Sequence, residues 1–72
     1  MIEFELKKHD FIPLNDLLKT LNLVGSGGEA NILITHGEVL VNDAPETQKR
    51  KKLRDGDVVQ FQGQTILVRQ KA

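Results

Sequence analysis

Leu14, Leu17, Leu18 and Leu21 stand at i, i+3, i+4 and i+7, one apolar stripe along one helix face. Two turns of helix carrying that stripe are not stable alone in water, so the leucines must be covered by other parts of the chain. Ile2, Phe4 and Leu6, alternating with Glu3, Glu5 and Lys7, supply a half-buried strand ahead of it. Pro13 fits the first helical position and Asn22 the end of the stripe. A second helix is announced by Ser26, with Glu29 three residues later, in the pattern of a capping box. Ala30, Leu33 and Ile34 give it an apolar face, and Gly37 sits where a left-handed residue would stop it. The period then returns to two. Residues 38–42 read as a strand with Val39 and Val41 on one face, and Asp43-Ala44-Pro45-Glu46 as a turn or loop. Asp55-Gly56-Asp57 is a tight turn, and strands 58–61 and 65–68 form a hairpin through Gln62-Gly63-Gln64. The expectation is an α+β fold: two short helices, near 14–21 and 28–36, packed on a small antiparallel sheet.

With 72 residues the chain is expected to form a single domain over 1–72. Such a chain buries only about 60% of its unfolded surface. It has no Cys and two His, so neither disulfides nor a zinc site can staple it, and its stability must come from aliphatic packing. No apolar run approaches the ~20 residues of a membrane span. Met1 to Asp10 lacks the features of a signal peptide. A cytoplasmic protein without membrane association is expected. Three Phe and no Trp or Tyr leave little surface for the base stacking on which sheet-type readers of single strands depend.

Charge is distributed unevenly. Ten basic and ten acidic residues balance, yet Lys49, Arg50, Lys51, Lys52 and Arg54 put five of the cations into six positions. The rest of the chain is then net −5, an acidic body with one basic patch. Such a patch favours polyanions, of which nucleic acid is the commonest in a cell; a solvated charged loop is the plainer reading. Leu53, alone among these charges, reads as an inward anchor.

Catalytic motifs do not survive their context. Gly25-Ser26-Gly27-Gly28-Glu29-Ala30 matches a dinucleotide fingerprint formally, but a leucine-striped helix precedes it instead of a strand. No Gly-Lys-Ser/Thr follows to make a phosphate loop. His9 and His36 lie in different elements, and Asp55 and Asp57 bracket a turn glycine. A non-enzyme without metal or cofactor is expected. Gly27 and Gly28 have two readings. They ease a tight turn between the helices, or they bare the backbone N–H groups of a helix N-terminus to an anion.

The series Leu14-Asn15, Leu18, Leu21, Ser26, Ala30, Leu33, His36-Gly37 and Val39-Leu40-Val41-Asn42, followed by Gly56-Asp57-Val58, resembles the RNA-binding domain family named after ribosomal protein S-four. Its two-helix-plus-hairpin unit is called the αL motif. Ser26-Gly27-Gly28 and Glu46-Thr47-Gln48-Lys49-Arg50 look most like its small stand-alone bacterial members, the YbcJ/YaaA-like proteins. The resemblance implies a non-enzymatic, ribosome-associated binder of structured rRNA or tRNA. Many relatives open the first helix with Arg-Leu-Asp, where this chain has Pro13-Leu14-Asn15, and the second with Ser-Arg, where it has Ser26-Gly27. A further basic position is Asn31. These neutral positions imply RNA binding that is either weaker or shifted toward 49–54.

On the combined reading, Lys49, Arg50, Lys51, Lys52 and Arg54 contact phosphates of a folded RNA, Ser26, Gly27 and Gly28 offer backbone donors, and Asn42 adds a polar contact. Shape and backbone recognition dominate over base reading. The protein is expected to act as a monomer. The alternative from another class is a protein–protein adaptor whose basic loop docks on an acidic partner.

Overall fold

A computed structural model of the chain describes residues 1–70. Strand β1 (Ile2–Glu5) is followed by a two-residue strand β2 (Ile12–Pro13), which runs directly into helix α1 (Leu14–Thr20). Helix α2 (Gly27–Thr35) comes next. The short strands β3 (Leu40–Val41), β4 (Ala44–Pro45) and β5 (Lys52–Leu53) precede β6 (Val58–Phe61) and β7 (Gln64–Arg69).

Both helices lie within a residue of their expected positions, and local chemistry ends them. At α1, Asn22 adopts φ 57°, and the N–H groups of Asn22 and Leu23 return to the carbonyls of Lys19 and Leu18 at 3.0 Å each. At α2, Gly37 adopts φ 78°, and Gly37 and Glu38 return to Ile34 and Leu33 in the same way. Each is a Schellman motif, with Asn tolerating at α1 the left-handed backbone that Gly takes up without strain at α2. Pro13 is the N-cap rather than the first helical residue. Its ψ of 144° is extended, and it pairs with Lys52 across the β2–β5 ladder.

The main sheet has five strands in the order β1-β7-β6-β3-β4. The expected antiparallel pairs are present between β3, β6 and β7. The sheet as a whole is mixed, because β1 lies parallel to β7, with Ile2 opposite Ile66 and Phe4 opposite Val68. Residues 43–46 are not a simple loop either. Asn42 and Asp43 (φ 51° and 69°) form the turn, and Ala44–Pro45 returns as an edge strand against β3. Gln62 and Gly63 (φ 49° and 79°) make the other two-residue turn. Two successive positive φ angles are the mark of a type I′ hairpin, whose twist matches that of the strands it joins.

The helices pack on this sheet. Leu14, Leu17 and Leu18 of α1 and Ala30 and Ile34 of α2 are fully buried, together with Val59, Ile66 and Val68 from one face of β6 and β7. Full burial of each Leu, Ile or Val side chain contributes about 1.5–3 kcal/mol. Among the described residues, no polar or charged residue is buried as a whole.

Candidate nucleic-acid interface

The backbone of the basic segment is held by hydrogen bonds and by Leu53. Leu53 is fully buried, as the sequence led us to expect, and pairs with Ile12. The first two N–H groups of α1, at Leu14 and Asn15, donate to the carbonyls of Lys51 and Lys49 at 2.9 and 3.0 Å. Helix N-termini always leave such donors to be satisfied from outside. Here the basic run itself satisfies them. Upstream, Gln48 N–H donates to Glu46 Oε2 at 3.0 Å, and downstream Arg54 N–H donates to Asp57 Oδ2 at 2.8 Å. Lys49, Arg50, Lys52 and Arg54 are exposed and Lys51 is half-buried. The cations therefore stand on a braced ledge along the start of α1.

Phe11 organises two of them. Lys52 Nζ lies 5.0 Å, and Arg54 Cζ 5.6 Å, from the centre of its ring. A ring quadrupole attracts cations at such distances, so one side chain draws two like charges together. Nothing local in the sequence signals this, because Phe11 meets partners some forty residues away.

Asn15 links the ledge to the second helix. Beyond its backbone bond to Lys49, its Nδ2 donates to Asn31 Oδ1 at 3.1 Å. Its own Oδ1 is buried without a hydrogen-bond partner. Gly27 lies one turn before Asn31 and so on the same face of α2. Pro13 and Asn31, two of the neutral positions where basic residues are implied by resemblance, thus adjoin the ledge. Pro13 is opposite Lys52, and Asn31 is joined through Asn15 to Lys49.

The N-terminus of α2 has mixed electrostatics. Ser26 is the N-cap, and its Oγ accepts from Glu29 N–H at 3.1 Å. The reciprocal half of the capping box is shifted by one residue, since Glu29 Oε1 accepts from Gly25 N–H at 2.7 Å. The first-turn N–H groups of Gly27 and Gly28 have no intrahelical acceptor. The Glu29 carboxylate partly offsets the positive end of the helix. Packing does not explain the glycines. A Cβ on Gly27 would meet nothing within 4 Å, one on Gly28 would meet only Ser26 Oγ at 3.8 Å, and neither has a positive φ.

Asn42 is committed to the fold. Its Oδ1 accepts from Val58 N–H at 2.9 Å, and its Nδ2 donates to Asp57 Oδ1 at 3.1 Å. Through Asp57 it braces the turn that holds Arg54. Asp55 is likewise a turn residue, accepting from Gln70 N–H at 2.8 Å. Among the described residues no group of three His, Cys, Asp or Glu could hold a metal ion, and no helix is long and apolar enough to cross a membrane.

Comparison with known proteins identifies the family of this fold. Residues 4–69 match the model of the S4 domain. YbcJ of Escherichia coli (strain K12) is 43% identical over 68 residues, spanning 94% of this chain and 97% of YbcJ. RlbA of Bacillus subtilis (strain 168), whose name refers to ribosome maturation, is 41% identical over 54 residues, 75% of this chain and 76% of RlbA. The solution structure of E. coli YbcJ, described as revealing an αL motif involved in RNA binding, superposes with a TM-score of 0.73 at 42% identity. That match covers 96% of this chain and 87% of the YbcJ chain.

Proposed function

Because this chain belongs to the S4 domain family, we propose that it is an RNA-binding module that holds structured RNA and catalyses no reaction on it. Residues 1–72 act as one αL-type domain and as a monomer in the cytoplasm, and the ligand is of the rRNA or tRNA class. The observation that carries the proposal is the braced ledge. Lys49, Arg50, Lys51, Lys52 and Arg54 are fixed by their backbone along the start of α1. A backbone held in place before binding loses less conformational freedom when its cations meet a phosphate.

The ledge also accounts for the neutral positions. Lys52 lies opposite Pro13, and Lys49 is connected through Asn15 to Asn31. The charge has moved onto a neighbouring segment of the same surface. Gly27 and Gly28, whose bare backbone the packing does not require, let an RNA strand approach the start of α2 closely. Ser26 sets the direction of that helix end, and Asn42 acts by holding the Arg54 turn.

The decisive experiment is crosslinking in cells followed by sequencing of the bound fragments. Recovery of discrete rRNA or tRNA segments is expected. A captured complex that survives nuclease treatment and contains an acidic protein would replace the RNA reading with an adaptor.

A further inference from the structure

Two of the three Phe residues do not belong to the closed core. Phe61 is buried at 2% exposure, whereas Phe4 and Phe11 are half-buried and line one open groove of about 660 Å³. The two half-buried Phe side chains therefore lie in one place. Leu6 and Ile12 complete the apolar floor, and Lys7 and Lys19 stand on the rim. The volume falls within the ~300–1,000 Å³ usual for small-ligand sites.

The groove is continuous with the basic ledge. Phe11 carries Lys52 and Arg54 against its ring while lining the groove, and Pro13, another lining residue, is opposite Lys52. A phosphate held by Lys52 and Arg54 thus places its own nucleotide at the groove mouth. Asp16, an exposed acid of the lining, disfavours a phosphate inside the groove, and the apolar floor is left to the base. We infer that this groove is a subsite for one unpaired nucleobase, extruded from the structured RNA that the basic ledge holds. The inference rests on the RNA-binding reading and adds to it: the protein would select RNA with an unpaired nucleotide beside a paired segment.

The test uses two hairpin RNAs with the same stem, one fully paired and one with a single bulged 2-aminopurine. Both are expected to bind with similar salt dependence, the bulged one about tenfold tighter, in line with the stacking of one base on an aromatic side chain. The 2-aminopurine fluorescence should change on binding. Thr20 is exposed and lines the groove at the far end of α1 from the ledge, so Thr20→Met adds bulk without a ring there and leaves the ledge residues unchanged. It should abolish the preference and the fluorescence change while keeping affinity for the paired hairpin. Phe4→Leu, which keeps apolar volume and loses the ring, should weaken the preference in the same direction; circular dichroism verifies that both variants fold. Equal binding of the two hairpins by the wild-type protein would overturn the inference and leave the RNA-binding reading standing. The same holds if folded Thr20→Met keeps the preference. Failure to bind either hairpin at low salt would remove both readings.

Discussion

Asn15 and Asn31 join the two helices through a 3.1 Å side-chain hydrogen bond that leaves the second polar atom of Asn15 buried and unmatched. The two residues are therefore unequal. Asn31→Leu would strand both ends of the Asn15 amide, and leaving a buried polar group without a partner costs about 1–3 kcal/mol. Asn15→Leu removes the unmatched acceptor along with the bond. Chemical denaturation should show the Asn31 variant to be clearly the less stable of the two.

Salt dependence tests the ledge. If four of its five cations meet phosphates, log affinity should fall against log salt with a slope of roughly −3 to −4, at about 0.7–0.9 per contact. Replacing Lys51 and Lys52 together with Ala should flatten the slope by about 1 to 2 and weaken binding to many RNAs alike. Folding should survive. Lys52 is exposed and Lys51 half-buried, and the bond from Leu14 reaches the Lys51 backbone carbonyl, which Ala retains.

Phe11 separates charge from its positioning. Phe11→Leu keeps every cation and removes the ring that Lys52 and Arg54 approach. Each such contact is worth about 0.5–1 kcal/mol at an exposed site. Titration of a paired hairpin should show affinity lowered several-fold, with the salt slope unchanged. A slope that flattened as in the double Ala variant would mean that Phe11 does more than position the charges.

The start of α2 answers to substitutions at Gly27. Gly27→Ala should raise thermal stability, because Ala is favoured over Gly in a helix by about 1 kcal/mol and its Cβ has open space. Gly27→Asp should also stay folded, since an acid in the first turn suits the helix dipole. It should weaken RNA binding, measured by filter retention, if the strand passes over this helix end. Loss of binding in Gly27→Asp together with unchanged binding in the Lys51/Lys52 double variant would move the site from the ledge to α2.

The parts of this fold with a period or a punctuating residue were legible in the sequence. The stripe Leu14 to Leu21, the Ser26 cap and Gly37 set both helices, and alternation set β6 and β7. Pairs of residues far apart in the chain were not. β2 and β5 have two residues each, too few to show a period, and Pro45 reads as a loop residue although an edge strand tolerates it. The parallel partnership of β1 with β7 leaves no local trace. In the site, the basic run and the inward Leu53 could be read directly. The approach of Lys52 and Arg54 to Phe11 could not, nor could the use of the Asn42 side chain inside the fold. A short polar side chain in a turn looks the same in sequence whether it faces a ligand or its own backbone.

The pairing of β1 with β7 also bears on synthesis. Among the described residues β7 is the neighbour of β1 in the sheet, so Ile2 is made long before its partner Ile66. A nascent chain that has emerged as far as Gly63 can form both helices and the β3–β4 hairpin, while Ile2, Phe4 and Leu6 still await β7. Contacts of such long sequence separation form slowly, because loop closure must precede any gain from the contact. The same side chains, Phe4 and Leu6, line the groove beside the ledge. On a translating ribosome the basic ledge can therefore begin to take shape before the groove has both its walls.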